Sequence, residues 1–290
     1  MAESSDSGRR PPSSASASTW GTRVLSLGMK LVAEGKDRLR PPAADGVVIL
    51  IYHRVGGRSA KEIDMPLASF EDQVAELADS GLTGTMDDAV EHLSGRREEG
   101  PQVVVTFDDG TDDVIDLAVP VLARHGVPAL LYVATDFVES ARCFPFDGRP
   151  ASWAGLADAL TTGVLSVGSH THTHALLDRL DPRAVDDELD RSVGLLEERL
   201  GVSARHFAYP QALVGSTYAD AAVRRRFASA AVAGCRPNLP GTTDLWRLAR
   251  SPIQVSDGQH FFRRKVAGGM GLEQTLRDLK NRRRYRQLTH

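Results

Sequence analysis

Val47-Val48-Ile49-Leu50-Ile51 is a continuous apolar run, mostly β-branched. Such a run has no polar face to offer to water. It reads as a strand buried on both sides, as in parallel sheets covered by helices. The pattern recurs at Val103 to Phe107, Ala129 to Val133, Val164 to Val167, His206 to Tyr209, Ser229 to Ala233 and Leu248 to Val255. Helical patterns lie between these runs. Phe70, Val74 and Leu77 fall at helical spacing after a candidate N-cap at Ser69, and Gly81 is a stop. Asp112 or Asp113 can cap a helix running to His125-Gly126. Ala151 to Leu160 reads as helical with Trp153 on its buried side. Asp181-Pro182 opens an amphipathic helix that Gly201 closes. Tyr218 to Phe227 is another helix, and Leu272 to Arg284 a last one.

Strands alternating with helices predict an α/β fold with a mainly parallel sheet and helices outside. The expectation is a single distorted (β/α) barrel of about seven strands. His53, Asp108, Asp109, His170 and Tyr209 all follow the C-terminal ends of predicted strands. In such a barrel those ends converge on one face.

A chain of 290 residues can bury one large core, and 41% hydrophobic with 25% charged residues is ordinary for a soluble globular protein. A net charge of −3 gives no global case for nucleic-acid binding. Residues 263–290 nevertheless hold nine Lys or Arg against Glu273 and Asp278. That stretch is either a solvated terminal helix or a weak contact with an anionic polymer or membrane surface. Cys143 and Cys235 form no CxxC pair and demand no oxidising compartment. Residues 1–19, rich in Ser, Ala and Pro, read as a disordered tail. Arg9-Arg10 is followed by Pro11-Pro12 rather than an apolar core, so no signal peptide is recognised and a cytoplasmic location is expected. Trp20 to Leu39 can form an amphipathic helix that packs on the domain, frays or binds lipid, before Pro41-Pro42. No stretch reaches the ~20 apolar residues of a membrane span.

Two segments carry chemistry. Thr106-Phe107-Asp108-Asp109-Gly110 closes a strand, and His170-Thr171-His172-Thr173-His174 concentrates three of the nine histidines. His170 and His174, four apart, can reach one metal from a helical turn or an irregular loop. His172 shares their side only if the segment is extended. Asp108 and Asp109 point apart in extended geometry, so one can bind a metal while the other faces water. Turn formation and helix capping are the structural alternatives for Asp-Asp-Gly. Adjacent carboxylates beside clustered histidines point to metal-assisted hydrolysis.

Together the two segments resemble the polysaccharide deacetylase family (NodB homology, carbohydrate esterase family 4). Residues 106–110 match its first motif, and Ser169 to His174 its second. The resemblance spans roughly 47–255. It implies a NodB-type barrel, a divalent metal, usually Zn2+, on Asp109, His170 and His174, and Asp108 as general base. His172 stands where relatives often carry an aromatic residue and is not taken as a ligand. The family's late acid-bearing Leu-x-His has no match, and His260 fits poorly. Ile51-Tyr52-His53-Arg54-Val55 instead resembles the first strand of a circularly permuted branch that includes poly-N-acetylglucosamine deacetylases, which implies His53 as general acid. A histidine buried under a neighbouring helix is the alternative. Phe207-Ala208-Tyr209-Pro210 keeps half of the third motif, but Gln211-Ala212 replaces Tyr-Gly. Tyr209, Pro210 and Gln211 are thus implied as the substrate wall, with a backbone N–H for the oxyanion. Arg250, in a Leu-x-Arg-x-x-Ile stretch, is implied as the group that orients the base.

The implied domains are a tail with a helix at 1–44, a catalytic domain at 45–262 and a basic helix at 263–290. The expected function is metal-dependent deacetylation of an N-acetylated sugar, oligosaccharide or polysaccharide. Alternatives are a small-molecule amide or cyclic-amide hydrolase and a non-catalytic carbohydrate-binding protein. Cys143 to Pro150, with Phe144 and Phe146, is either a substrate-covering loop or a hydrophobic anchor.

Overall fold

The computed structural model describes residues 28, 30–35 and 46–271. Seven parallel strands close into a barrel in the order β1 (Val48–Tyr52), β4 (Val103–Phe107), β5 (Ala129–Val133), β6 (Leu165–Ser169), β7 (His206–Ala208), β8 (Ser229–Ala233) and β9 (Leu248–Pro252). β1 pairs with both β4 and β9, with Ile49 opposite Val104 and Arg250. A small parallel pair, β2 (Arg54–Val55) and β3 (Asp64–Met65), lies outside the barrel sheet.

The period of two explains why the strand runs are apolar throughout. Ile49, Val104, Leu130, Tyr132, Ala208, Ala231 and Leu248 meet in one cluster inside the barrel. Their neighbours Val48, Leu50, Val103, Val105 and Leu131 belong to the layer beneath the helices. Neither face is wet, so neither face is polar.

The helices Leu67–Ser80 (α1), Val119–His125 (α3), Trp153–Leu160 (α5), Pro182–Leu200 (α6) and Thr217–Arg226 (α7) occur near their predicted places. Asp181 caps α6, its carboxylate accepting from the Ala184 amide at 2.9 Å. A short helix, Met86–Leu93 (α2), was not expected. Thr85 caps it, and Met86, Ala89, Val90 and Leu93 join the inner cluster near the strand starts. Two starts differ from prediction. α1 begins after Pro66, not Ser69, because the proline supplies the extended entry at φ −56° and ψ 135°. Neither Asp112 nor Asp113 is a side-chain cap. Val114–Ala118 forms a π turn ahead of α3, near Pro120, which lacks an N–H to continue an α ladder.

Residues 30–35 are helical, and buried Lys30 reaches Asp257 at 2.8 Å. The rest of the predicted 20–39 helix, the 1–19 tail and the 272–284 helix lie outside the described residues. A helix Gly258–Val266 (α8) covers one side of the barrel and runs across residue 262. Among the described residues no helix is long and apolar enough to cross a membrane.

Candidate active site

A cavity of about 490 Å3 is lined by His53, Asp108, Asp109, His170, His174 and Arg250, at the C-terminal ends of the strands. Strand parity aims most of these side chains. Asp108 continues the inward series Val104, Thr106, and Arg250 that of Leu248. His53 follows Ile49 and Ile51, and His170 follows Ser166 and Gly168. Inside the barrel Gly168 is obligatory. An added Cβ would sit 2.6 Å from the His206 carbonyl oxygen and 2.9 Å from Tyr132 Cδ1.

Asp109, His170 and His174 each offer a ligand atom, and these atoms lie within 4.8 Å of one another. Asp109 Oδ1 is 3.7 Å from His170 Nε2 and 3.5 Å from His174 Nε2. The His170 Nδ1 is 2.8 Å from the Ala208 carbonyl, so Nδ1 carries the proton and the Nε2 lone pair faces Asp109. Burial pulls the His170 pKa down to about 4 despite Asp108 and Asp109, which keeps the ring neutral. Two imidazoles and a carboxylate in a triangle of this size fit a divalent ion with open positions.

The histidine segment is an irregular loop rather than a helical turn. Glu188, on α6, clamps it: its carboxylate accepts from the amides of His172 at 2.9 Å and Thr173 at 2.8 Å, and from Thr173 Oγ1 at 2.7 Å. Nothing local in the sequence singles Glu188 out. His172 turns away from the cavity, with Nδ1 2.9 Å from Thr135 Oγ1. His260, on α8, is outside the site and meets Glu34 at 3.1 Å.

Arg250 grips Asp108 with two parallel bonds, Nη1 to Oδ1 at 2.7 Å and Nη2 to Oδ2 at 2.9 Å. It also donates to Thr106 Oγ1 at 3.1 Å. Burial alone would raise the Asp108 pKa, but Arg250, with smaller help from His170 and His53, holds it far below the usual carboxylate range. His53 is half-buried at the junction of β1 and β2.

Of the three predicted wall residues, only Gln211 lines the cavity, together with Ala212. Tyr209 has the outward parity of Phe207. Its buried ring packs edge-on to Phe207 at 5.0 Å beneath α7. Pro210 is buried outside the cavity wall. The Ala212 amide is taken by the Tyr209 carbonyl at 2.9 Å.

Arg54 also lines the cavity, and nothing local in the sequence marks it. It bonds Asp113 at 3.1 Å and donates to the Phe146 carbonyl at 2.8 Å. The Cys143–Pro150 segment is anchored by one phenylalanine and borders the cavity with two. Phe144 is buried and stacked on Phe137 at 4.1 Å, whereas Phe146 is 56% exposed, and both line the cavity.

Residues 95–228 match the family described as Polysaccharide deacetylase. YxkH of Bacillus subtilis (strain 168), named provisionally as a polysaccharide deacetylase, is 26% identical over 164 residues, which are 56% of this chain and 55% of that protein. The chain thus spans about half the length of that curated relative. The structure of IcaB from Ammonifex degensii is 28% identical, with a TM-score of 0.66, covering 77% of this chain and 97% of that one. The Streptococcus pyogenes deacetylase PplD in complex with acetate is 19% identical, with a TM-score of 0.69 over 77% and 99% of the two chains, a likeness of fold. The sequence match reaches from the approach to β4 through α7, the structural likeness extends around the barrel, and over that span the chain is similar to the polysaccharide deacetylase family.

Proposed function

We propose that the protein is a metal-dependent deacetylase that hydrolyses the N-acetyl group of an N-acetylated sugar within an oligosaccharide or polysaccharide. The observation that carries this reading is the meeting, in one cavity, of the Asp109–His170–His174 triangle and a separate carboxylate, Asp108, locked by Arg250.

Asp109, His170 and His174 would hold the ion, and two imidazoles with one carboxylate suit Zn2+. When bound, the ion supplies acidity to a coordinated water and polarisation to the acetyl carbonyl. Asp108 accepts the proton of the attacking water. Its low pKa keeps it ionised at neutral pH, so the acceptor is always ready, and a proton taken there is passed on rather than stored. Arg250 fixes the direction of that carboxylate. His53, on the same cavity wall, donates a proton to the departing nitrogen, which is a poor leaving group as an anion. Gln211 and Ala212 shape the wall against which the sugar lies. Descent from the circularly permuted branch is supported by His53 standing ahead of Asp108.

A second reading keeps the site and changes the substrate to a small amide or cyclic amide. Phe137, Phe144, Phe146, Ile63 and Ile253 make much of the wall apolar, and about 490 Å3 is the size of a small-molecule pocket. Acetate release from N-acetylglucosamine oligomers, run with metal analysis, separates the two. Bound metal without acetate from any glycan selects the small amide. His53→Ala is expected to lower kcat by about 10²–10⁴-fold with metal content unchanged; full activity would remove His53 as the acid.

A further inference from the structure

Among the described residues the large exposed apolar side chains are Leu31, Val32, Phe146 and Tyr218, and of these only Phe146 borders the catalytic cavity. Its exposure is not looseness. The Phe146 carbonyl accepts from Arg54 Nη1 at 2.8 Å, and Arg54 is buried and held by Asp113 at 3.1 Å and Asp64 at 3.9 Å. The loop is closed on itself by the Phe144 amide and Gly148 carbonyl at 2.7 Å. It is anchored by the parallel stack of Phe144 on Phe137 at 4.1 Å and 7°. Phe146 and Asp147 both take left-handed backbones, φ 63° and 59°, a conformation that non-glycine residues keep only where surroundings impose it. Lys61 Nζ lies 3.8 Å from the centre of the Phe146 ring and steadies it. The chain therefore spends a buried arginine, an aromatic stack and two strained residues on holding one phenyl ring in water at the mouth of the site.

A flat ring held in water beside a site for sugars matches the apolar C–H face of a pyranose. We propose that Phe146 is a specificity-determining residue: a platform on which the sugar next to the reacting unit stacks, so that the site selects chains of sugars over single sugars. This rests on the glycan reading above. Preorganisation matters because a ring already fixed loses little freedom when the sugar arrives.

The test is kcat/KM for acetate release from an N-acetylglucosamine tetramer and from the N-acetylglucosamine monomer, with the metal-loaded full chain. Both β-1,4- and β-1,6-linked tetramers are used. Phe146→Ala should lower the tetramer-to-monomer ratio about tenfold, chiefly through KM. Phe146→Trp should restore the ratio, since it restores a ring. Lys61→Met, which keeps the ring but frees it, should give a smaller fall in the same direction. An unchanged ratio in Phe146→Ala with wild type active on tetramers overturns the platform and leaves the deacetylase reading standing, as does a Trp variant no better than Ala. Wild type that releases acetate from neither tetramer nor monomer overturns the deacetylase reading and the platform with it.

Discussion

Arg250→Met removes the cation from an enclosed ion pair while keeping much of the side chain's bulk. Arg250 is 1% exposed and Asp108 5%, and their two bonds measure 2.7 and 2.9 Å. Removing one partner of a buried pair costs about 3–5 kcal/mol, because the other charge is left uncompensated. In a domain of this size that corresponds to a fall in Tm of roughly 6–20 °C. The pH dependence follows from the sign of the shift. In the wild type the folded-state pKa of Asp108 is depressed, by Arg250 above all, against the upward push of burial. Its contribution is therefore fully present above the unfolded carboxylate pKa of about 4, and is lost only as pH falls through the depressed folded value. Without Arg250, burial leads and moves Asp108 the other way. The variant then takes up a proton on folding in mildly acid solution, which relieves the stranded charge. Its deficit against wild type is largest at pH 8 and shrinks toward pH 5. Urea denaturation of metal-stripped protein at pH 5, 6.5 and 8 measures this. A deficit below about 1 kcal/mol, or one that does not change with pH, would refute the account of Asp108 as a buried charge held by Arg250. Arg250→Lys keeps the charge but not the fork and should fall between.

Alanine at Asp109, His170 or His174 should each weaken Zn2+ binding by more than the 10–100-fold typical of outer partners, about a hundredfold or worse, in metal titrations. Glu188→Ala, which frees the His172 and Thr173 amides, should weaken it by about 10–100-fold. Gly168→Ala forces a methyl against a backbone oxygen 2.6 Å away and should cost about 1–3 kcal/mol by denaturation. Asp181→Ala should cost about 1 kcal/mol by the same measurement, as the loss of one helix cap.

The barrel was legible because both faces of each strand are buried, so Val48 to Ile51 and Val103 to Phe107 stand out as unbroken apolar runs. The strand-end placement of His53, Asp108 and His170 was legible too, and the parity they share with Ile49, Val104 and Ser166, like that of Arg250 with Leu248, aims them inward. The same parity sends Tyr209 outward with Phe207, so its ring lies beneath α7 and not on the cavity wall. Contacts between distant segments were not legible. Arg54 meets Phe146 92 residues away, and a glutamate such as Glu188 looks like any solvated position on a helix. Helix α2 leaves little signal in the sequence, because eight residues give only about two turns of pattern.

Parity alone cannot build the metal triangle, and the backbone shows how the difficulty is met. After Asp108 points inward, an extended Asp109 would point outward. Asp109 is instead left-handed at φ 75°, followed by Gly110 at 98°, and the reversal brings its carboxylate back to the same cavity. Thr171 at φ 62° and His174 at 63° do the same for the histidine loop, and Gln211 at 52° and Ala212 at 58° for the opposite wall. Each such non-glycine residue costs of order 1–3 kcal/mol and persists only when its neighbours impose it. The neighbours are visible. The Ala134 amide holds the Asp109 carbonyl at 2.9 Å, the Asp136 amide holds that of His172 at 2.8 Å, and Glu188 holds the amides that follow. These restraints lie outside the barrel's apolar clusters, so their loss leaves the core packing intact. Cutting one should let a left-handed residue relax and turn a ligand away before any strand separates. Metal affinity should therefore fall faster than stability in variants of the clamps, and stability faster than metal affinity in variants such as Asp181→Ala.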